Sequence, residues 1–262
     1  MNKIIFIVPY RNREPQKNYF LRYKKYILED LKEEDYEIVI SHQTDNRPFN
    51  RGAVKNIGFL YVKNKYPDDY KNFTFVFNDL DTMPAYKNTF DYKTEKGVIK
   101  HFYGFQYALG GIVSINGEDF EKINGYPNYW SWSLEDNCLQ ARATKMGLKI
   151  DRSVFFQIGN INVLHIHDGI YKDYSETNLN LFSKDTGNEG LLTINKLHYD
   201  SKVNKSTNCF VKNIECNIIY FETLYSYKSQ ASVTQHNITA GNNLSKKKQT
   251  RLNSNFRQLV YR

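Results

Sequence analysis

Up to residue 81, apolar segments typical of strands alternate with segments of helical spacing, and this alternation restricts the possible fold more than any other feature. Residues 3–8, 36–41 and 73–78 are rich in β-branched and aromatic side chains, as buried strands are. Apolar residues within 16–33 and 52–65 recur at near-helical spacing. This order predicts a doubly wound α/β sheet whose central strands are parallel.

The second half of the chain is less regular. Residues 134–146 are predicted to form a helix that Gly147 ends. We expect one α/β domain over 1–200 and a C-terminal extension over 201–262, because the sequence becomes polar after about residue 227.

The net charge of +8 raises the question of a nucleic-acid partner, but the charge is unevenly distributed. Residues 241–262 hold six basic side chains and no acidic one; without them, 30 basic residues stand against 28 acidic ones. A nearly neutral body argues against a nucleic-acid partner. The basic tail is either a solvated end or a peripheral contact with an anionic membrane.

Cysteine content and hydropathy bear on the compartment. Three cysteines, Cys138, Cys209 and Cys216, form neither an even set nor a zinc-ribbon spacing, so we expect a reducing environment. The sequence has neither an apolar run of membrane-spanning length nor the layout of a signal peptide. These features predict a cytoplasmic protein, with attachment to a membrane surface left open.

Three loops that follow predicted strands are expected to gather at one edge of the sheet, where ligands of open parallel sheets bind. They contain Arg11 and Arg13, the segment 49–51, and the pair Asp79 and Asp81. Arginine forks match phosphate oxygens, and carboxylates suit a hard divalent cation that bridges a diphosphate. A plain strand-to-turn transition, where aspartate is common, is the alternative.

His165 and His167 follow a strand-like segment. On a strand, residues two apart project to the same face, so both imidazoles are able to reach one metal ion. The alternative is a pair of surface or hydrogen-bonded histidines.

The segment 130–136 contains both tryptophans of the chain, followed by two acids. Trp130 and Trp132 offer flat ring faces on which a sugar could stack. Glu135 and Asp136 fit the first turn of the predicted helix, where carboxylates are stabilised, and a capping box from Ser133 explains them equally well. A general base is compatible with that position.

Taken in order, these motifs resemble those of the β-1,4-galactosyltransferase family, an inverting family of GT-A fold, over residues 3–195. The similar segments are Val8–Arg13 (PFRNR in the family), Phe49–Gly52 (FNRA), Phe77–Asp81 (F-x-DVD), Gly110–Gly111 (YFGG), Asn124–Asn128 (NGFPN) and Trp130–Asp136 (WGWGGED). The resemblance implies a GT-A-like mixed sheet with flanking helices in a single catalytic domain. It also implies a UDP-sugar donor, a saccharide acceptor and Mn²⁺.

The family's residue roles transfer position by position. Donor and nucleotide binding is implied for Arg11, Arg13, Phe49, Arg51, Asp79, Ala108, Trp132 and Glu135. Acceptor binding is implied for Trp130, Asn137 and Gly111. Asp136 resembles the catalytic base, and Asp81 a manganese ligand that His165 and His167 complete, as in the xylose-acceptor branch.

Several positions depart from the family pattern. Asn137 stands where the family has a third acid that helps to hold the acceptor, and Ser131, Ser133 and Leu134 replace glycines. Ala108 stands where the family has a tyrosine. In this family a small residue at that position leaves room for an N-acetyl group on the donor. UDP-GalNAc is therefore expected to compete with UDP-Gal.

Alternative functions follow from the same features. One is a GT-A transferase of the polysaccharide-synthase type that uses UDP-GalNAc or UDP-glucuronic acid; a lipid-linked saccharide acceptor is left open in either case. Another is a sugar-binding module that keeps the fold without catalysis. Donor screening separates the first from galactose transfer, and metal-dependent release of UDP argues against the second.

Overall fold

The computed structural model describes residues 3–132, 134–166, 171–175, 177–227 and 233–237. Its strands are β1 (Ile4–Tyr10), β2 (Tyr36–Gln43), β3 (Thr74–Asn78), β4 (Thr82–Pro84), β5 (Val98–Gly104), β6 (Ile112–Asn116), β7 (Lys149–Asp151), β8 (Phe156–Gln157), β9 (Val163–His165), β10 (Tyr171–Ser175), β11 (Asn195–Asn204), β12 (Asn213–Glu222) and β13 (Val233–Asn237). Its α-helices are α1 (Glu14–Ile27), α2 (Arg51–Lys65), α3 (Gly117–Lys122), α4 (Glu135–Lys145) and α5 (Thr177–Ser183).

A large mixed sheet organises the molecule, with the strand order β11-β12-β2-β1-β3-β6-β5-β7, and β8 pairs with β5. Strands β12, β2, β1 and β3 are parallel to one another, whereas β6 runs antiparallel to both β3 and β5. Two short pairs, β4 with β9 and β10 with β13, lie outside this sheet. The predicted α/β architecture and the strand–helix order of the first half are confirmed.

Helices cover both faces of the sheet, so its central strands are buried on both sides. In β1, Ile5 and Ile7 pack into one core, with α2 and α3, while Phe6 and Val8 pack into the other, with α1. Every residue of β1 is buried for this reason. Asn50 caps the N-terminus of helix α2, and its side chain accepts a hydrogen bond from the backbone N–H of Ala53.

The predicted boundary at residue 200 lies within β11, which pairs with β12. Strand β12 pairs in parallel with β2 and so belongs to the main sheet. It buries Ile214, Ile218 and Phe221 in the same core as α2. The basic tail, 241–262, lies outside the described residues.

The direction of the strands brings several loops together. Because β1, β2, β3 and β5 are parallel, the loops that follow them emerge at one edge of the sheet. The turn into β6 returns to that edge, and β4 pairs with β9 so that Thr82 lies opposite His165. No helix within the described residues has the length and apolar character needed to cross a bilayer.

Candidate active site

A cleft of about 180 Å³ lies at this edge, between the loops after β1, β2 and β3, the β5–β6 loop and the start of α4. It gathers most of the residues that the sequence singled out. The predicted site residues that line it are Arg13, Phe49, Arg51, Asp79, Asp81, Ala108, Gly111, Trp132, Asp136 and His165. The combination of basic, acidic and aromatic groups suits a charged, sugar-bearing ligand.

Arg51, the first residue of α2, is the centre of a cluster of carboxylates. Its guanidinium donates to Asp79, to Glu135 and, at 2.8 Å, to Oδ2 of Asp136. Glu135 is fully buried beneath the cleft rather than lining it. Three motifs that lie far apart in the sequence are thus joined by one side chain.

The electrostatics of this cluster follow from burial and proximity. Burial opposes the charge of Arg51, but the carboxylates of Asp136, Asp79 and Glu135 outweigh it and raise the pKa of the guanidinium. Burial, and then the neighbouring Asp136, raise the pKa of Glu135, while Arg51 and Lys55 act in the opposite direction. The basic side chains therefore oppose, without cancelling, the effect of burial on Glu135.

Lys55 is a member of this cluster that the sequence prediction missed. Its ammonium donates to Oδ1 of Asp136 at 2.9 Å and lies 3.9 Å from Asp79, and its side chain is almost completely buried. The signal was available, since Lys55 lies four residues after Arg51 and so shares its helix face.

Two of the three predicted metal ligands lie close together beside the cluster. Nε2 of His165 is 3.8 Å from Oδ1 of Asp81, while Arg13 pairs with Oδ2 of the same carboxylate at 3.3 Å. The third, His167, lies outside the described residues. Elsewhere in the described part of the chain, and here, no group of three His, Cys, Asp or Glu side chains is positioned to hold a metal ion.

Tyr103, on β5, contacts His165 from the side away from Asp81. Its hydroxyl lies 2.8 Å from Nδ1 of His165, and the backbone N–H of Gly159 donates to the same hydroxyl. When Nδ1 carries the ring proton and donates it to Tyr103, Nε2 presents a lone pair towards Asp81. Imidazoles that bind metal are oriented in this way by their second nitrogen. The pair Asp81 and His165 therefore fits a transition-metal ion by donor type, separation and orientation.

Glycines allow the β5–β6 loop to pack tightly against its neighbours. A Cβ atom on Gly110 would collide with Oδ2 of Asp136, and one on Gly111, whose φ is +70°, would collide with the carbonyl of Tyr103. The small side chain of Ala108 lines the cleft just before them. A larger side chain at that position would occupy part of its volume.

Two predicted residues lie behind the cleft and shape its loops. Arg11 donates to the backbone carbonyl of Arg47 and lies 3.9 Å from Asp45, so it braces the loop after β2. The side-chain amide of Asn137 donates to the carbonyl of Tyr107 and so ties α4 to the β5–β6 loop.

Trp130 does not have the position that acceptor contact requires. Its side chain is 1% exposed and stacks on Phe221 of β12, with ring centroids 5.2 Å apart. Its indole N–H donates to Thr223 and to the carbonyl of Tyr225. The prediction of direct acceptor binding by Trp130 is corrected: this ring fixes the loop, and Trp132 is the tryptophan that lines the cleft.

The protein has a mixed sheet, and an Asp-x-Asp turn and a cleft lined by arginines and carboxylates lie at the carboxyl ends of its parallel strands. This arrangement is typical of GT-A-type glycosyltransferases. Family models match in two consecutive parts: the N-terminal region of glycosyl transferase group 7 over residues 1–93, and the N-terminal domain of galactosyltransferase over 98–168. Together they cover more than half of the chain. The chain belongs to this family, the β-1,4-galactosyltransferases, as its motifs predicted.

Over the aligned segments, individual relatives are 28–35% identical to this chain. Similarity is 32% identity over 164 residues with β-1,4-galactosyltransferase 4 of Homo sapiens, covering 58% of this chain and 45% of the relative. It is 35% over 162 residues with β-1,4-galactosyltransferase 1 of Mus musculus, covering 58% and 39%. For β-1,4-galactosyltransferase 7 of Drosophila melanogaster it is 28% over 185 residues, covering 66% and 54%. The chain spans about half the length of these relatives.

Solved structures resemble this one over most of its length. The catalytic domain of Drosophila β-1,4-galactosyltransferase 7, in complex with xylobiose, superposes with a TM-score of 0.69 at 22% identity, covering 88% of this chain and 98% of that one. A mutant of that enzyme in complex with manganese, UDP-Gal and xylobiose gives a TM-score of 0.66 with the same identity and coverage. The predicted GT-A-like fold is confirmed.

Proposed function

We propose that this protein is an inverting, UDP-sugar-dependent glycosyltransferase that moves galactose, or N-acetylgalactosamine, to a sugar hydroxyl and forms a β-1,4-type linkage. One observation supports this most strongly: Arg51, Asp79 and Asp136 meet in one cleft beside Asp81 and His165. Family membership and the ligands named for the Drosophila structure point to the same chemistry.

The chemistry that we assign to the chain begins at Asp136. Its carboxylate takes the proton of an acceptor hydroxyl while that oxygen attacks the anomeric carbon of the donor. UDP departs from the opposite face of the sugar. Arg13 and Arg51 supply positive charge at the leaving diphosphate, in a site arranged before the reaction begins. Phe49 offers a ring face to the uracil of UDP, and Trp132 offers one to the donor sugar.

We further propose that Asp81 and His165, with the predicted ligand His167, hold Mn²⁺. When bound, the ion stabilises the charge that develops on the diphosphate. The short separation of the two described ligands and the contact of Tyr103 on the far nitrogen support this assignment.

Ala108 bears on the choice of donor. Its small side chain at the cleft leaves space that a larger residue would fill, which supports UDP-GalNAc as a competing donor. A transferase of the polysaccharide-synthase type, using UDP-GalNAc or UDP-glucuronic acid, is the second candidate that this residue favours.

A screen of UDP release tests the proposal. UDP-Gal, UDP-GalNAc and UDP-glucuronic acid are each offered with xyloside, glucoside and N-acetylglucosaminide acceptors, with Mn²⁺ or with EDTA. We expect acceptor-dependent release of UDP from UDP-Gal or UDP-GalNAc, lost in EDTA. Strict use of UDP-Gal, unchanged when Ala108 is enlarged, contradicts the role of Ala108. A total lack of release with every pair contradicts the enzymatic assignment.

A further inference from the structure

We infer that Lys55 is a positioning residue for the catalytic carboxylate: its buried ammonium holds Oδ1 of Asp136 so that Oδ2 is the oxygen presented to the acceptor. The inference rests on the proposed function, because it gives Asp136 the role of the base. It adds a residue that acts on that base from beneath the cleft.

The geometry of the contact supports this role. The ammonium of Lys55 reaches Oδ1 of Asp136 at 2.9 Å from the interior, and Lys55 does not line the cleft. Oδ2 accepts a hydrogen bond from Arg51 at 2.8 Å and packs over Gly110, and both of these residues line the cleft. The two oxygens of one carboxylate are therefore distinguished: Lys55 holds one from the core, and the other lies beside Arg51 on the side of the cleft, where the acceptor would bind.

The surroundings of Lys55 explain why its charge is directed at Asp136. Its side chain is only 1% exposed, and its ammonium lies 4.3 Å from the ring centroid of Tyr126. A cation buried this deeply is stable only when a carboxylate or an aromatic face compensates for lost water. The bond to Asp136 is consequently a charge-assisted one in a water-poor place, the kind that fixes a side chain best.

Charge balance in the cluster gives the contact a measurable consequence. Three carboxylates, Asp79, Glu135 and Asp136, face two cations, Arg51 and Lys55. Without Lys55, Asp136 would keep Arg51 as its one cationic partner among the described residues, and a carboxylate that loses a neighbouring cation binds a proton more readily. Such a proton would block a base that has to act as an anion.

Further groups face Asp136 or lie near it. Tyr126 belongs to the segment before α4 and stays neutral, because burial raises the pKa of its hydroxyl. His101, on β5, is a more distant neighbour, and burial, followed by the charge of Arg152, lowers its pKa to about 4. Neither group changes charge in the neutral range.

The test replaces Lys55 by methionine, which keeps the length of the side chain and removes its charge. In Lys55→Met we expect kcat to fall by roughly 10- to 100-fold, the equivalent of one charged hydrogen bond, while KM for the donor changes by less than about two-fold. The acidic limb of the kcat–pH profile is expected to move to higher pH. A residue with only a structural role would lower activity equally at all pH values.

Lys63→Met is the matched control, because Lys63 lies on the same helix but is 41% exposed and pairs with Glu121. We expect it to keep the kcat and pH profile of the wild type. A kcat for Lys55→Met within about two-fold of the wild type, or a uniform loss across the pH range, overturns the inference.

Thermal stability gives a readout that does not depend on activity. Lys55→Met leaves Asp136 beside an apolar group, so the double variant Lys55→Met with Asp136→Asn should melt at a higher temperature than Lys55→Met alone. If only the double variant folds, the coupling is supported; equal destabilisation of both variants contradicts it. A wild-type protein that lacks transferase activity refutes the proposed function instead, and an active wild type with an unaffected Lys55→Met refutes this inference alone.

Discussion

Asp136 accepts hydrogen bonds from two cationic side chains and also borders the cleft. This combination distinguishes it from its neighbour Glu135. Asp136 is partly exposed, whereas Glu135 is 2% exposed and is held by Arg51. A general base has to face the cleft, where the acceptor sugar enters, and it also has to be held in position by groups from the interior. Of the two acids in the first turn of α4, Asp136 meets both conditions.

Replacing Asp136 by asparagine removes the proton acceptor while keeping the shape of the side chain. We expect turnover to drop by about 10²- to 10⁴-fold, the usual scale for loss of a general base. UDP affinity, measured by calorimetry, should be equal or higher, because Arg51 loses one competitor for phosphate. Asp91→Asn, a change at an exposed carboxylate, serves as control. Turnover near that of the wild type would assign the base to another residue.

Tyr103 offers a test of the metal site that is independent of catalysis. Tyr103→Phe keeps the ring that packs edge-on against His165 and removes only the hydroxyl beside Nδ1. Loss of such an orienting partner typically weakens metal binding by about 10- to 100-fold. We expect a drop of that size in the Mn²⁺ affinity of the UDP-free protein, measured by calorimetry or Mn²⁺ spin resonance.

Tyr86→Phe, at a tyrosine that is 63% exposed, should leave Mn²⁺ affinity unchanged. His165→Ala separates the two ways in which the prediction for Tyr103 could fail. If His165→Ala abolishes binding and Tyr103→Phe does not, the ligand is right and the orienting contact is wrong. Unchanged affinity in both variants would move the metal site elsewhere.

Single residues show where sequence patterns reach their limit. Motif order predicted that Arg51, Asp79 and Asp136 share one site, because each motif marks a strand end or a helix start. It could not separate Trp130 from Trp132, since the burial of Trp130 depends on stacking with Phe221, a partner far along the chain. Contacts at such separation leave no local periodicity.

At the scale of elements, α1 contains an unusual buried cation. Lys24 is completely buried, with its ammonium 4.3 Å from the ring centroid of Phe6 and 3.2 Å from the hydroxyl of Tyr92. Burial lowers the pKa of Lys24 to about 7. The aromatic faces offset only part of the loss of water, so α1 docks on the sheet with a group that is easily neutralised.

This burial predicts how stability depends on pH. The unfolded chain keeps Lys24 protonated up to about 10.5, whereas the folded protein releases that proton near 7. Between these values the unfolded state binds more protons, so the contribution of Lys24 to the free energy of unfolding rises as the pH goes from about 7 to about 10.5 and is lost as the pH is lowered from 10.5 to 7. We expect the melting temperature of Lys24→Met to exceed that of the wild type most at pH 7 and least near pH 10.

Lys25→Met provides the comparison on the same helix, since the ammonium of Lys25 is exposed at the surface. Its melting temperature should follow the pH dependence of the wild type. Parallel curves for the wild type and Lys24→Met would mean that Lys24 is charged in the folded protein throughout.

Elements were predicted best where burial is two-sided. The apolar runs of β1, β2 and β3 and the helical spacing of α2 identify these elements to within about two residues at each end. Strand β11 was not predicted to belong to the sheet. It is an edge strand, and because most of its residues are exposed, its sequence lacks the apolar pattern of a buried strand. Its neighbour β12 was not assigned to the sheet either, since its parallel pairing with β2 joins segments that are far apart in the sequence.

For the molecule as a whole, the C-terminal strands support the catalytic edge. Strand β12 completes the sheet beside β2, and Phe221 at its end supports Trp130 and Arg47. The backbone carbonyl of Arg47 in turn accepts a hydrogen bond from Arg11, in the loop that also contains Phe49. The loops around the cleft are therefore supported by strands from the C-terminal part of the chain.

Two shortened proteins test this dependence. Ending the chain at residue 200 removes β12 and with it Ile214, Ile218 and Phe221, whose burial contributes about 5–9 kcal/mol at the usual value for large apolar side chains. That is comparable to the whole stability of a typical domain, about 5–15 kcal/mol. We expect this protein to lose cooperative melting by circular dichroism and to release no UDP.

Ending the chain at residue 240 removes only the basic tail, 241–262, so this second protein should melt near the wild-type temperature and keep its rate of UDP release with soluble acceptors. A residue-200 protein that melts cooperatively would instead restore the boundary between a domain over 1–200 and a separate extension. Loss of activity on soluble acceptors in the residue-240 protein would give the tail a part in the site. Loss confined to vesicle-bound acceptors would support the peripheral membrane contact predicted from its charge.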